Sequence, residues 1–320
     1  MKMTLDNILE EIKKANSIVL LTHEHPDGDA IGSSLAMLLA LKEMGKQADL
    51  IIPEYPKTFS FLPNTNEILK EGRMESYDLA IALDCATIQR LNGFGKYFEN
   101  AKVKIQIDHH SKNTMFGDWN FVNPVSPACA QIVVTMLEYF GIEITKEIGT
   151  CLLTGIITDT GGFRYSSVTA DTFEFAACLL EKGINVSDIY RRVLEVKTKT
   201  SFELHKLAMN RIEFLEEGKI SFTYILQEDK KKIGTETGDS EGIVEIGREV
   251  EGVEVSIYMS ETEEQDGFKF SLRSNDYVNV SDVCMMFGGG GHTKAAGCRI
   301  LGDFEQVKDK MLHKVKEFLK

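Results

Sequence analysis

An acidic residue and two histidines stand together at Asp108-His109-His110, directly after the largely apolar run 103–107. The run has the composition of a buried parallel strand, so the three polar residues would lie at the strand's carboxyl end. Burying an acid and two imidazoles is costly unless they are paired or bind a metal ion. Taken alone, the triplet is explained both by a metal site and by hydrogen-bonded polar residues of the core.

A second group of possible ligands follows the first apolar run of the chain. His23, Asp27 and Asp29 are spaced so that a tight turn, aided by Gly28, could direct all three side chains at one point. One imidazole with several carboxylates suits a borderline-hard divalent ion such as Mn²⁺. The alternative is that Asp27 and Asp29 only cap the helix that follows them, as aspartate often does.

Two further acids end strand-like apolar runs. Asp84 follows the run 79–83, where a carboxylate could bridge two ions, although a helix cap or a turn would also explain it. Asp159 follows the run 154–158 and precedes two glycines, which let the backbone approach a bound anion. Arg164, shortly afterwards, has the planar fork that holds phosphate, or it is an ordinary surface arginine.

These residues together have the composition of a two-metal centre. Such a centre activates water and stabilises the entering and leaving oxygens of an in-line attack at phosphorus. Within it, His110 could contact a phosphate and Asp108 could orient a histidine. We see no arrangement of serine or cysteine typical of a nucleophile. The predicted metal ligands are His23, Asp27, Asp29, Asp84, His109 and Asp159.

A third group lies near the carboxyl end of the chain. Four consecutive glycines can expose backbone N–H groups that form an anion-binding concavity, and Arg273 and His292 would add donors. A flexible loop is the alternative reading of such a run. The predicted binding residues of this segment are Arg273, Ser274, Gly288, Gly289, Gly290, Gly291 and His292.

The segments around these motifs predict an α/β protein. Short apolar strands alternate with helices over residues 1–186, which indicates a mainly parallel sheet with helices on both faces. The carboxyl ends of such strands share one edge, where the motifs would meet. We predict strands at 17–22, 47–52, 79–83 and 102–107, and helices at 29–44 and 126–140, the second with Ser126 as N-cap and Pro127 in its first turn.

The remaining chain predicts a helical connector, 187–215, and a smaller α+β domain, 216–320. This domain would contain strands at 219–226, 253–260 and 267–272, helices at 280–287 and 303–319, and a mobile loop at 234–242. A chain of 320 residues fits two such domains.

Composition limits the partners. The chain has 36 basic and 49 acidic residues, a net charge of −13, which opposes binding to long nucleic acid. No run approaches the roughly 20 apolar residues of a membrane span, and the beginning shows no signal peptide, so we expect a cytoplasmic protein without a membrane partner. The six cysteines lack CxxC spacing, which favours buried, reduced thiols over a structural zinc site.

The motifs, in their order, resemble those of the DHH phosphoesterase superfamily in its branch with the DHH-associated C-terminal domain. The resemblance covers essentially the whole chain and rests on the following segments: 23–29, Asp84, Asp108-His109-His110, Asp159, 271–274 and 288–292. It implies that one Mn²⁺ is held by His23, Asp27 and Asp84, and a second by Asp29, Asp84, His109 and Asp159, with Asp84 bridging. It also implies a cleft between the domains in which residues 288–292 and Arg273 grip the substrate.

Within the superfamily, the layout is most similar to the oligoribonuclease and 3′-phosphoadenosine-5′-phosphate phosphatase branch. A close relative is the stand-alone phosphodiesterase that splits cyclic di-AMP, or its linear product pApA, into AMP, and a cyclic di-AMP phosphodiesterase is the alternative function for this chain. The resemblance implies hydrolysis of short RNA, dinucleotides or nucleotide bisphosphates to nucleoside 5′-monophosphates, with Mn²⁺ as cofactor, Mg²⁺ or Co²⁺ as alternatives, and a homodimer. Asp84, Asp108, His110 and Arg164 would be the catalytic set. Related inorganic pyrophosphatases lack the glycine-rich run, and a nucleotide-sensing module without hydrolysis is the alternative from another class.

Overall fold

The computed structural model describes residues 4–236 and 238–319. The chain forms two compact units, the first ending at Val196 and the second beginning at Lys197. The segment 187–215, predicted as a connector, is therefore divided between the two units. Thr237, inside the predicted mobile loop 234–242, lies outside the described residues.

The first unit contains a six-stranded sheet in which every pair of neighbouring strands is parallel. The order across the sheet is β3-β2-β1-β4-β5-β6, and Ile18 lies beside both Ala48 and Leu79. The predicted fold class is confirmed. The strands are β1 (Ile18–Leu21), β2 (Ala48–Ile51), β3 (Ile68–Leu69), β4 (Leu79–Leu83), β5 (Val103–Asp108) and β6 (Trp119–Val122).

Helices cover both faces of this sheet, which explains why β1 and β4 are buried along their whole length. Alternate residues of each strand enter two different cores: Leu20 and Ile81 pack with helix residues such as Leu35, whereas Val19 and Ala80 pack on the opposite face. The helices are α1 (Leu5–Lys14), α2 (Gly28–Glu43), α3 (Gly95–Glu99), α4 (Cys129–Tyr139), α5 (Lys146–Asp159), α6 (Ala170–Glu181) and α7 (Val186–Tyr190).

Two local predictions were wrong. The apolar run before Asp159 is the last part of helix α5 and not a strand, because a short buried run has no periodicity that separates the two structures. Helix α4 begins at Cys129 with Ala128 as its N-cap, so Ser126 is not the cap. The Ser126 hydroxyl instead donates to the carbonyl of Ala128, at 2.8 Å.

The second unit is built on a mixed sheet in the order β11-β12-β10-β9-β8-β7. Strands β8 and β9 pair in parallel, and the other neighbours pair antiparallel. The strands are β7 (Glu213–Leu215), β8 (Ile220–Ile225), β9 (Val255–Glu261), β10 (Gly267–Ser274), β11 (Gly290–His292) and β12 (Ala295–Leu301). The helices are α8 (Lys199–Asn210), α9 (Gln227–Ile233), α10 (Ile243–Arg248), α11 (Val280–Met285) and α12 (Phe304–Lys316).

Across residues 4–236 and 238–319, none of the helices has both the length and the apolar character that crossing a membrane requires.

Candidate metal centre

The carboxyl ends of β1, β4 and β5 and the last residue of α5 bring the six predicted ligands together. Two trios form, and within each trio the possible ligand atoms lie within 4.8 Å of one another. The first trio is His23, Asp27 and Asp84, and the second is Asp29, His109 and Asp159.

Asp84 belongs to the first trio and also faces His109 of the second trio. Its Oδ1 is 3.4 Å from His109 Nε2, and its Oδ2 is 3.8 Å from His23 Nε2. His109 Nε2 is also 3.4 Å from Asp159 Oδ2 and 3.9 Å from Asp29 Oδ2. One carboxylate with an oxygen towards each histidine has the arrangement required to bridge two ions.

Two buried atoms of the cluster test whether ions would fit. Among the described residues, Asp84 Oδ1 and His23 Nδ1 are buried without an aligned hydrogen bond, and Asp84 is only 2% exposed. A buried polar atom without a partner is costly. Oxygen and imidazole donors at this spacing match those of divalent ions such as Mn²⁺ and Mg²⁺, so the residues present fit the implied metals.

The backbone of Asp84 is held in an uncommon conformation. Its φ is +52°, in the left-handed region that aspartate tolerates better than most side chains, and its N–H donates to the Ile107 carbonyl at 3.0 Å. The next carbonyl, that of Cys85, accepts a hydrogen bond of 2.8 Å from Nε2 of Gln106, a fully buried side chain on β5. Gln106 thus supports the turn that aims Asp84 at both histidines.

Asp29 is fully buried and has a second role. Its two oxygens accept the N–H groups of Cys129 and Ala130, at 2.6 and 2.8 Å, and these are the first two residues of α4. Ala128 supplies no side-chain cap to that helix, so Asp29 satisfies the N–H groups that the helix leaves open. Asp27 caps its own helix through Oδ1, so the capping alternative holds for Asp27 while it also belongs to a trio.

Three glycines let α2 and α5 approach closely enough for Asp29 and Asp159 to face the same point. A Cβ atom on Gly32 would lie 2.4 Å from the Cys151 carbonyl oxygen, and one on Gly28 would lie 2.5 Å from the Thr158 side chain. A Cβ atom on Gly155 would lie 2.8 Å from Asp29 Oδ1. No side chain fits at these contacts unless the helices separate.

The two histidines of the triplet are oriented by different partners. His109 Nδ1 is 3.2 Å from the Ser126 carbonyl, which leaves Nε2 facing the carboxylates. His110 Nδ1 is 2.8 Å from Asp108 Oδ1, and the other oxygen of Asp108 accepts a hydrogen bond from Asn113. Asp108 is fully buried, so it contacts His110 from the interior of the protein.

The crowded, buried carboxylates of the cluster favour the binding of a positive charge. Burial, with repulsion from Asp84 and Asp159, raises the pKa of Asp29 well above its ordinary value, and burial raises the pKa of Asp159 to about 7. Burial lowers the pKa of His109, but the adjacent carboxylates outweigh it and hold that pKa well above the ordinary value. A bound divalent cation would relieve this crowding of carboxylates.

Three other predicted site residues have hydrogen-bond partners within their own units. Arg164 is exposed, and its Nε donates to the Gly161 carbonyl at 2.8 Å. In the second unit, Arg273 donates from Nε to Glu245 at 2.8 Å. Ser274 is 1% exposed and donates to the Val278 carbonyl, so its hydroxyl already has a structural partner, and its binding role stays a prediction.

Backbone N–H groups of the glycine run 288–291 form hydrogen bonds within the protein. The N–H groups of Gly288 and Gly289 donate to the carbonyls of Met285 and Cys284, at 3.0 and 2.9 Å, and the segment Gly290–His292 is the edge strand β11. Two of the four N–H groups are therefore already engaged within the protein, and an anion-binding role of residues 288–292 stays a prediction. The two N–H groups are engaged because the last carbonyls of the preceding helix α11 need donors.

Comparisons with known proteins agree with this arrangement of motifs. Residues 17–156 match the DHH family, N-terminal domain, and residues 218–320 match the DHHA1 domain. The chain is 36% identical over 316 residues to the bifunctional oligoribonuclease and PAP phosphatase NrnA of Thermus thermophilus, which covers 98% of this chain and 94% of that protein. The chain belongs to the DHH family.

Further relatives extend the similarity. The Bacillus subtilis protein of the same name is 22% identical over 313 residues, covering 94% of this chain and 97% of that protein. The crystal structure of an exopolyphosphatase-related protein from Bacteroides fragilis has a TM-score of 0.90 and 28% identity, covering 98% of this chain and 96% of that chain. This DHH-family chain therefore shares its whole length with its relatives.

Sequence reasoning missed several supporting residues of this DHH chain. Gln106 lies inside a strand, where an amide between two isoleucines is the sequence signal for a buried polar role. Asn113 follows the triplet too closely in sequence to be separated from an ordinary turn residue. Gly155 and the link from Asp29 to α4 depend on contacts between distant segments, for which the sequence contains no local signal.

Proposed function

We propose that this protein is a metal-dependent phosphoesterase that hydrolyses short oligoribonucleotides and dinucleotides such as pApA to nucleoside 5′-monophosphates. Dephosphorylation of 3′-phosphoadenosine-5′-phosphate to AMP is part of the proposal. The observation that supports this proposal is the pair of trios, because Asp84 of the first trio also faces His109 of the second. The activities named for the full-length relatives support the choice of substrate.

In this proposal, His23, Asp27 and Asp84 hold one ion, and Asp29, Asp84, His109 and Asp159 hold the other. Mn²⁺ is the first candidate, with Mg²⁺ and Co²⁺ as alternatives. When bound, the two ions would supply the Lewis acidity that activates water for attack at phosphorus.

The remaining side chains act on the phosphoryl group. Asp108 holds His110 by Nδ1, so that the other ring nitrogen of His110 can donate to a phosphoryl or leaving oxygen. Arg164 would balance negative charge on the phosphate through its exposed guanidinium. In the second unit, Arg273 and His292 are the proposed contacts to the rest of the substrate.

The charge of the chain supports short substrates. A net charge of −13 opposes electrostatic retention of a long phosphate backbone. A cytoplasmic location and a homodimer remain predictions.

The test is a substrate panel with the purified protein and two variants. Dinucleotide, pApA, cyclic di-AMP and 3′-phosphoadenosine-5′-phosphate would each be assayed with Mn²⁺ and with Mg²⁺, using Asp84→Asn and His109→Ala. Asp49→Asn is the matched control, because Asp49 is a buried carboxylate that belongs to neither trio.

We expect both cluster variants to lose at least about 100-fold in kcat/KM, since each removes a proposed metal ligand. The control should keep its activity per folded molecule. Turnover close to wild type in both cluster variants would refute the two-metal proposal. Tight nucleotide binding without product, over hours, would favour the nucleotide-sensing alternative.

A further inference from the structure

Two phenylalanines in the first unit form a stacked pair with an exposed outer member. The rings of Phe163 and Phe173 are 5.4 Å apart between centroids and 24° from parallel. Phe173 is 56% exposed, whereas Phe163 is partly buried against the main core. A large aromatic ring supported on one side and open to solvent on the other is suited to stacking against another flat ring.

Phe163 is joined to the candidate metal centre through the end of α5. It comes four residues after Asp159, and its φ of +63° places a bulky side chain in the left-handed region. The turn that imposes this conformation is fixed by the buried Thr160, whose Oγ1 accepts the N–H of Phe163 at 3.0 Å. Strained backbone of this kind is concentrated at functional sites.

Phe173 is connected to the same centre through a hydrogen bond of its neighbour Thr172. Its neighbour Thr172 donates from Oγ1 to Gln131 Oε1 at 2.9 Å. Gln131 lies in the first turn of α4, directly after the N–H groups of Cys129 and Ala130 that Asp29 accepts. The first turn of α6 is therefore linked by a hydrogen bond to the first turn of α4, whose first two N–H groups contact Asp29.

We propose that Phe163 and Phe173 form a stacking platform for a nucleobase of the substrate. The inference rests on the proposed function and adds a binding subsite to it. A nucleobase is the occupant that fits, because Phe163 follows the proposed ligand Asp159 by four residues and a nucleotide carries a flat base and a phosphate on one sugar. Arg164, exposed and next to Phe163, adds a cation for the phosphate. Stacking of this kind accepts any base, since every base has a π face.

The test compares Phe173→Ala with Phe173→Trp, which keeps an aromatic face. Phe202→Ala is the matched control, because Phe202 is 60% exposed on α8 of the second unit. Each protein would be assayed with pApA and with an analogue of pApA that lacks both bases. We expect Phe173→Ala to raise KM for pApA about 5- to 100-fold, with kcat changed less than about threefold. The Phe173→Trp and control variants should retain the wild-type KM.

The analogue separates stacking from a general structural effect. Wild-type protein should lose affinity for the analogue, and Phe173→Ala should cause no further loss with it. An equal rise in KM for both substrates would refute the platform, as would an unchanged KM for pApA. Conversion of a wild-type dimer to monomers by Phe173→Ala in sedimentation would also refute it, since the ring would then belong to a subunit interface.

Failure of the proposed function is distinguishable from failure of the platform. If the wild-type protein hydrolyses none of the panel, the proposed function is wrong. Calorimetric titration with AMP in the presence of Mn²⁺ then tests the platform directly. A 5- to 100-fold weaker Kd in Phe173→Ala would support it, and an unchanged Kd would refute it.

Discussion

Replacing Gly155 by alanine should weaken metal binding far more than it weakens the fold. The added Cβ would lie 2.7 Å from the Ala130 Cβ, 2.8 Å from Asp29 Oδ1 and 3.3 Å from the Asp29 Cα. Ordinary carbon contacts begin near 3.5 Å, so Asp29 and the start of α4 must retreat by about 0.5 to 1 Å. The displaced carboxylate is one of the proposed ligands of the second ion.

Two opposing effects set the expected change in the free energy of unfolding of Gly155→Ala. Overpacking a core costs about 1 to 3 kcal/mol, and replacing glycine by alanine inside a helix returns about 1 kcal/mol. We therefore expect the free energy of unfolding of the metal-free protein to fall by roughly 0 to 2 kcal/mol. Disturbing the supports of a metal site typically lowers metal affinity or activity by about 10- to 100-fold.

The assay measures Mn²⁺ affinity by calorimetry, and the stability of the metal-free protein by urea unfolding. Gly149→Ala on the same helix is the matched control, because the nearest atoms to its Cβ would be side-chain atoms of Ile184, Leu179 and Ile144, at 2.6, 3.2 and 3.6 Å, and none belongs to a proposed ligand. It should lower stability by a similar amount and leave Mn²⁺ affinity unchanged. Unchanged affinity in Gly155→Ala, or an equal loss in both variants, would refute the reasoning.

Three further outcomes follow from single contacts. Ser274→Ala should lower the free energy of unfolding by about 1 to 3 kcal/mol, because the buried Val278 carbonyl loses its donor, and leave KM unchanged. A higher KM at unchanged stability would support the predicted substrate-binding role of Ser274. In the metal-free protein, the contribution of Asp159 to stability should fall as the pH rises from about 4 to 7, since the folded state keeps a proton on its carboxyl, whose pKa is raised from 3.8 to about 7. Urea titrations of wild type and Asp159→Asn measure this contribution as a difference, and a difference in favour of wild type that grows with pH would contradict it. Gln106→Leu should lower Mn²⁺ affinity by about 10-fold, measured by calorimetry, because the Cys85 carbonyl loses its donor, and wild-type affinity would exclude this role.

Much of the fold was predictable because its signals are local. The fully apolar β1 and β4 identify buried parallel strands, and Asp84 and Asp108 stand at strand ends that must share one edge. The predicted strand 219–226 likewise corresponds to β8 of the second unit. Asp159 was predicted as a possible ligand although its element was wrong, because the end of a buried helix and the end of a buried strand can deliver a side chain to the same place.

What the sequence determined by itself is the set of chemically suitable residues, since residue type and short spacing are written in it directly. It determined the DHH motifs, the excess of acidic residues and the strands β1, β4 and β5 that precede three of the motifs. What only the tertiary structure decided is how those residues are held. Asp29 accepts N–H groups about 100 residues away, and Gly155 matters through a contact with another helix. Such contacts arise from packing between distant segments, which no local pattern encodes.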